Sequence, residues 1–348
     1  MNYFIHGERV DSILLKQMKL NGSIKCSELR EPLMGNMCLS EQDKIYTSGE
    51  TALRSILERL QSEQKKAQIQ SLKDKYTFRK LIAPLFPSFK FCCLDQVKSH
   101  SLWNGDSCIV KPRDGFFGVG VQKLDRQSLQ HFEVTDPSAW IVEECIGGEE
   151  YSVDLYYDSA GEPVILNICH HPEHSDSRFS NALYYTSESV FKDLYQPVLK
   201  FLHNLREIFQ FRSFPIHAEF KYCKDMGLIP IELNPLRFGG FGLAELPFHA
   251  FRFNPVELFF SDHRPDWKQI WRGRESCFYG WVLRYNPAQS FLDIGSPNHL
   301  SFQERFEKVL HYKEIDFKSH PVCGIAYVRE SSKDALFRVL KLDFESVA

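Results

Sequence analysis

The chain lacks the features that most quickly assign a protein to a compartment or a chemistry. Nowhere in its 348 residues does an apolar run approach the ~18 residues of a membrane-spanning helix. Its first stretch, MNYFIHGERVDSILLKQMKL, has no continuous apolar h-region. Charge of one sign is also missing: 42 Lys and Arg against 45 Asp and Glu leave a formal net charge of -3, which gives no reason to expect nucleic acid or a membrane surface as partner. The ten cysteines are scattered, Cys92-Cys93 is the only adjacent pair, and there is no C-x-x-C. That usage predicts reduced thiols, a cytoplasmic location and no cysteine metal framework. No internal repeat, low-complexity linker, Ser-His-Asp or Cys-His signature is present.

What is present is enough apolar material for sizeable cores: 43% hydrophobic residues, 29 of them Phe. The length suits two or three domains. A helical pattern runs from about Glu50 to Gln64, and a second helix starts near Asp74. FKFCCL, SCIVKP, VGVQKL and AWIVEECI read as strands. EYSVDLYYD and EPVILNICHH read as a hairpin turned at Ser159-Ala160-Gly161. Apolar residues at three- and four-residue steps from Phe191 to Phe209 predict an amphipathic helix. GGFGLAELPFHAF starts another helix; the tail holds strands CFYGWVLRYN and VCGIAYVRE and helix KDALFRVLKL. Interleaved but often hairpin-linked elements predict an α+β or mixed α/β fold with antiparallel sheets.

The stretch HAEFKYCKDMGLIPIELNP, from His217 to Pro235, alternates apolar and polar on both sides of a polar break at residues 224–227. Folding it as a hairpin sets Phe220 opposite Ile231, Tyr222 opposite Ile229 and Ala218 opposite Leu233 on one face. The other face then carries Glu219 opposite Glu232 and His217 opposite Asn234. Like charges directly opposed destabilise a sheet. A divalent cation would offset that, magnesium above all, since it prefers one or two carboxylates with phosphate oxygens completing its shell. Glutamates simply pointing into water are the alternative.

IVKPRDGFFGVGVQKL is a second chemical stretch. Lys111 ends a strand, and Gly115, Gly118 and Gly120 permit a tight loop whose bare N–H groups suit phosphate. It is neither a Walker A loop nor a Rossmann turn, because a strand rather than a helix follows, and no Gly-Lys-Ser/Thr is present. The H-R-D and D-F-G of a protein kinase are absent. In WIVEECIGGEEYSVD, Glu143 leaves a strand and Glu150 follows seven residues on, an arrangement suited to an adenine edge and ribose hydroxyls. Lys75 lies at a helix start, where the dipole disfavours a cation unless an anion meets it; a solvated surface lysine is the alternative.

Together, Asp74-Lys75, the V-K-P-x-x-G-x-x-G-x-G loop, the E-E-x-I-x-G-x-E hinge and the paired acidic strands ending in E-x-N-P resemble the ATP-grasp superfamily over about residues 71–245. The resemblance implies an ATP-grasp fold. It comprises an abbreviated N-terminal α/β domain (1–74), a core (75–270) with a glycine-loop lid subdomain (about 88–148), and a C-terminal mixed segment (271–348) packing on the core. By the same resemblance, Lys75 and Lys111 contact ATP phosphates beneath the flap of Gly115, Gly118 and Gly120. Glu143 takes the adenine amino group, the hinge backbone of Cys145 and Ile146 meets the ring edge, and Glu150 holds the ribose. Glu219, Glu232 and Asn234 bind Mg²⁺, with Mn²⁺ as an alternative ion.

Arg237, three residues after Asn234 where the family often has two, is expected to steady the acyl-phosphate and tetrahedral intermediate alongside Lys111. His170, His171, Asp176, Arg178 and Tyr184 are candidates for substrate carboxylate or amine. A solvated polar loop and a zinc cluster of His170, His171 and His174 are the other readings of that segment. The implied chemistry is ATP-dependent ligation of a small carboxylate, such as an amino acid, to an amine, releasing ADP and phosphate. A phosphate-transferring relative and a non-catalytic nucleotide-binding module are the rivals. A homodimer is a family-level expectation.

Overall fold

The computed structural model describes residues 1–6, 13–21, 26–30, 37–99, 107–115, 118–173, 179–285, 298–316 and 322–341. Strands β1 (Asn2–His6), β2 (Cys26–Arg30) and β3 (Lys44–Thr47) pair in parallel in the order β2-β1-β3. β3 leads through Ser48-Gly49 into helix Glu50–Arg59. The helix expected over 50–64 is two: Leu60 ends the first, and Ser62 caps a second, Glu63–Lys73, by accepting the amide of Lys65 at 3.2 Å. Asp74 ends that helix and caps the next, Lys75–Ile82, accepting the amides of Tyr76 and Thr77 at 3.0 and 3.1 Å.

A second sheet contains β4 (Phe91–Cys93), β5 (Ser107–Pro112), β6 (Gln122–Asp125) and β7 (Trp140–Glu144), all antiparallel, in the order β4-β7-β5-β6. It has its own small core of Cys92, Leu94, Cys108, Val110, Leu129 and Val142. The strand expected from Val119 begins at Gln122.

The third sheet is the frame of the molecule. It contains β8 (Glu149–Tyr157), β9 (Pro163–His171), β10 (Leu183–Ser187), β11 (Phe214–Cys223), β12 (Gly227–Pro235), β13 (Phe278–Tyr285), β14 (Lys308–Glu314) and β15 (Val322–Glu330). Their order is β12-β11-β8-β9-β10-β13-β15-β14. Residues after 270 therefore extend the same sheet with three strands.

Ser187 caps helix Glu188–Phe209 through the amide of Val190. The helix lays its stripe of Phe191, Leu194, Val198, Leu202, Leu205 and Phe209 against one face of the sheet, where Val153, Ile168, Ile216, Ala218, Phe220 and Leu233 join the main core. At roughly 25 cal/mol per Å² of buried apolar surface, this face carries most of the hydrophobic stabilisation. The opposite face carries a second apolar core around Tyr156, Val164 and Leu166, with the polar side chains Glu150, Ser152, Asp154, His171, Glu219 and Glu232 beyond it.

Candidate active site

The hairpin register at its acidic end is as expected: Glu219 stands opposite Glu232 and His217 opposite Asn234. Beyond that it slips. Phe220 faces Pro230, Lys221 faces Ile229 and Tyr222 faces Leu228, so Ile231 is an extra, unpaired residue. Pro230 is the physical cause: it has no N–H to give to β11, and proline survives in sheets at edges and bulges. β12 is the sheet edge. The expected pairs Phe220–Ile231 and Tyr222–Ile229 are thus replaced, and Ile231 lines the cleft alongside Glu232.

That cleft is a cavity of about 960 Å³ between the second sheet and the polar face of the third. Lys75, Lys111, Gly115 and Gly118 line it, as do Glu143, Cys145 and Ile146 at the exit of β7. Glu150, His171, Glu219 and Glu232 line the side formed by the large sheet. Gly120 does not reach the cavity. Its φ of +80° is left-handed, and an added Cβ would lie 3.0 Å from Pro112 and 3.3 Å from Trp140, so it permits close packing of the loop. Gly148, in the hinge between β7 and β8, is equally constrained: φ is +107°, and a Cβ would fall 2.2 Å from the carbonyl oxygen of Tyr222.

Two ionic clusters face this space. In the first, the buried Glu143 carboxylate accepts from Arg79 Nε at 2.6 Å on one oxygen and from Lys111 Nζ at 2.7 Å on the other. Burial opposes its ionisation, but the two cations outweigh it and hold the carboxyl at about 2. Burial, with Arg79 and Lys75 nearby, pushes the Lys111 ammonium below its ordinary range against the pull of Glu143. Each Glu143 oxygen thus already accepts from one cation and keeps a further lone pair; Glu143 lines the cavity together with the backbone at the exit of β7.

In the second cluster, Glu232 lies 3.6 Å from Lys75 Nζ, which also donates to the carbonyl of Gly115 at 2.8 Å. Burial and the charge of Glu219 raise the Glu232 carboxyl, and the neighbouring lysines do not fully offset them. Glu219 moves the other way: burial pushes it up, but His217 and Arg237 pull it below the ordinary carboxylate range. His217 is itself oriented by Asp154, at 2.7 Å from Nδ1, while its Nε2 stands 3.6 Å from Glu219. Burial disfavours its charge, yet the two carboxylates raise it to about 9. Asp154 also accepts the amide of Gly239 at 2.8 Å.

The opposed glutamates, with the buried Asn234 one pleat on, are a donor set that suits a magnesium ion. Among the described residues no group of three or more His, Cys, Asp or Glu side chains could hold a metal ion.

Arg237 lies outside the cavity lining, with Nε 3.8 Å from Glu50 at the start of helix Glu50–Arg59. Its shifted spacing has a local cause. Leu236 adopts φ +58°, is fully buried, donates to Pro215 O at 2.8 Å and accepts from Thr47 N at 2.7 Å. One residue is thereby folded into the junction with the N-terminal sheet, and Arg237 remains close enough to lower the Glu219 carboxyl.

Of the further substrate candidates, His171 faces the cleft. Its Nδ1 meets Glu150 at 2.9 Å, its Nε2 meets Ser180 O at 2.8 Å, and its ring stacks on Tyr184 at 4.0 Å. Tyr184 lies behind this pair, its hydroxyl raised well above the ordinary range by burial and by Glu219 and Glu150. His170 does not belong with them. Adjacent strand residues point to opposite faces, and its ring is buried against Tyr151, the Tyr185 hydroxyl at 2.9 Å, and Glu149. Asp176 and Arg178 lie outside the described residues.

Sequence reasoning overlooked Arg79, although it sits four residues after Lys75 and hence on the same helical face. It also overlooked Asp154, which alternation along β8 places on the face of Glu150, and Phe337 and Leu340, which line the far end of the cavity.

Residues 105–245 match the ATP-grasp domain family. Solved structures agree over nearly the whole chain. An L-amino acid ligase from Bacillus licheniformis superposes with a TM-score of 0.69 at 15% identity, covering 98% of this chain and 96% of that one. Carboxyaminoimidazole ribonucleotide synthase from Aspergillus clavatus, complexed with ATP, superposes at 0.64 with 11% identity, covering 100% and 99%. Phosphoribosylglycinamide synthetase from Anaerococcus prevotii superposes at 0.62 with 14% identity, covering 98% and 96%. No curated protein sequence matches the chain. Residues 105–245 are similar to the ATP-grasp domain, and the fold of nearly the whole chain is that of the ATP-grasp proteins. Among the described residues no helix is long and apolar enough to cross a membrane.

Proposed function

We propose that the protein is an ATP-dependent ligase that activates a small carboxylate as its acyl-phosphate and joins it to an amine, releasing ADP and phosphate. The observation that carries this reading is the convergence of Lys75, Lys111, the glycine loop and the opposed pair Glu219–Glu232 on one cavity. The volume of about 960 Å³ is ample for a nucleotide.

On this reading Lys75 and Lys111 take the phosphates, and the amides around Gly115 and Gly118 cover them. The backbone of Cys145 and Ile146 takes the adenine edge, and Glu150, held by His171, takes the ribose. Glu219, Glu232 and Asn234 would hold Mg²⁺, which when bound offsets phosphate charge. The substrate carboxylate attacks the γ-phosphorus in line, breaking its bond to the β–γ bridging oxygen and releasing ADP. The amine then attacks the acyl carbon and expels phosphate. Arg237 stands beside Glu219 to steady the developing oxyanion. Closure of the glycine loop excludes the water that would hydrolyse the acyl-phosphate.

The test is ADP release with paired acids and amines, and mass detection of the product. Release that needs both partners, with a condensed product, supports the ligase. A stable phosphorylated acceptor would make the protein a phosphate-transfer enzyme, and ATP binding with no turnover on any pair would make it a nucleotide-binding module.

A further inference from the structure

Arg79 is the most enclosed cation of the cleft, 2% exposed. From helix Lys75–Ile82 it reaches two strands and the connection before β4. Its Nε donates to Glu143 on β7 at 2.6 Å, its Nη1 to Pro230 O on β12 at 2.5 Å, and its guanidinium lies 4.4 Å from the Phe89 ring centroid. Burying a charged group is costly unless each contact is made. Yet the charge count explains more than the packing. Glu143 alone with Lys111 would be a closed neutral pair, and Lys111 would have no net charge to offer. With Arg79 on the second carboxylate oxygen, the trio carries one net positive charge; all three residues border the cavity, where Lys111 lies near Lys75.

We propose that Arg79 is a positioning residue that neutralises Glu143 from the core side, so that the Lys111 charge is left for the triphosphate of the nucleotide. The same guanidinium ties the second sheet to the bulge of β12, beside Glu232, so the phosphate cation and the acidic pair are held in one frame. This deepens the proposed function and rests on its placement of ATP.

The test is equilibrium titration of wild type and variants with MgATP and with adenosine, with thermal melts to verify folding. Arg79→Met is expected to weaken ATP binding about 10- to 100-fold while changing adenosine binding less than about threefold, because the loss is of charge at the phosphates. Arg79→Met/Glu143→Gln restores one net positive charge through Lys111 and should recover most of the ATP affinity. Arg79→Lys keeps the charge and should stay within about fivefold of wild type, which provides a readout if Arg79→Met does not fold. Equal losses for ATP and adenosine, or a double variant no better than Arg79→Met, would overturn the charge role and leave Arg79 a strut. A wild type that binds adenosine but gains nothing from the triphosphate would overturn the ATP placement itself, and this inference with it.

Discussion

The two ionic clusters of the cleft are built from the same residue types and are opposite in kind. Around Glu143 a single carboxylate is shared by Arg79 and Lys111, is buried, and is held ionised at about 2. Around Glu232 two carboxylates face each other across a strand pair, and one is raised by the other's charge. The first cluster holds its carboxylate ionised; in the second, His217 and Arg237 hold Glu219 ionised while the nearby lysines leave Glu232 raised. The contrast separates a carboxylate held ionised by two cations from an opposed pair of which one member is raised, a distinction that residue type alone does not make.

The sharpest way to break the contrast is to neutralise one member of each cluster. Glu232→Gln or Glu219→Gln should reduce ADP release by about 10²–10³-fold, the scale of several kcal/mol of lost charge stabilisation. Glu232→Gln should melt at or above the wild-type temperature, because a like-charge pair worth roughly 0.5 kcal/mol of destabilisation has gone, whereas Glu219→Gln should melt lower, having lost the attraction of His217 and Arg237. Magnesium should raise the melting temperature of wild type and not of these variants. Magnesium that still stabilised either variant would put the ion elsewhere.

Glu143→Gln should do the reverse. It leaves Arg79 and Lys111 buried without their shared anion, at a cost of about 3–5 kcal/mol of stability. The acid limb carries the same information. With the folded carboxyl at about 2 and the unfolded one near the ordinary ~4.3, the contribution is fully present above about pH 4.3 and is lost as pH falls toward 2. It amounts to about 3 kcal/mol. Denaturant melts over that window should lose this slope in Glu143→Gln; an unchanged slope would mean that the trio does not exist in solution.

How far the contrast was legible in the sequence depended on local regularity. The Glu219–Glu232 pairing follows from period-2 alternation on both strands and holds as far as the alternation does. It fails where Pro230 removes a ladder donor, a signal that was present in GLIPIE and carries its own physics. The three-way contact of Arg79 joins residues 64 and 151 positions apart, and no local pattern encodes it. Alternation also contained the correction to His170: adjacent strand residues cannot both face one cleft. The Leu236 kink that absorbs the extra residue before Arg237 depends on Thr47 of another sheet, and so was invisible until the chain was folded.

A smaller effect sharpens the acidic side. His217, raised to about 9 by Asp154 and Glu219 against burial, contributes stability that is fully present below about pH 6.5 and is lost as pH rises through 9. The contribution is about 3 kcal/mol at most, because Asp154 keeps a second partner in the Gly239 amide. His217→Gln should flatten stability between pH 6.5 and 9; a variant that still loses stability over that range would assign the alkaline limb to another group.

The smallest expected effect tests the two faces of β9 against each other. His171 supports Glu150 from inside the cleft, whereas His170 packs on the far face with Tyr185. Replacing His171 by Ala frees the Glu150 carboxylate from its partner and should raise the KM for ATP by about three- to tenfold with little change in kcat, since the contact is made equally in ground and transition states. Replacing His170 by Gln should leave the KM for ATP within about twofold and lower stability by about 1–2 kcal/mol, the cost of a disturbed buried hydrogen bond. If both variants shifted KM alike, the side-chain alternation along β9 would be wrong, and with it the assignment of Glu150, Ser152 and Asp154 to the face that carries the acidic pair.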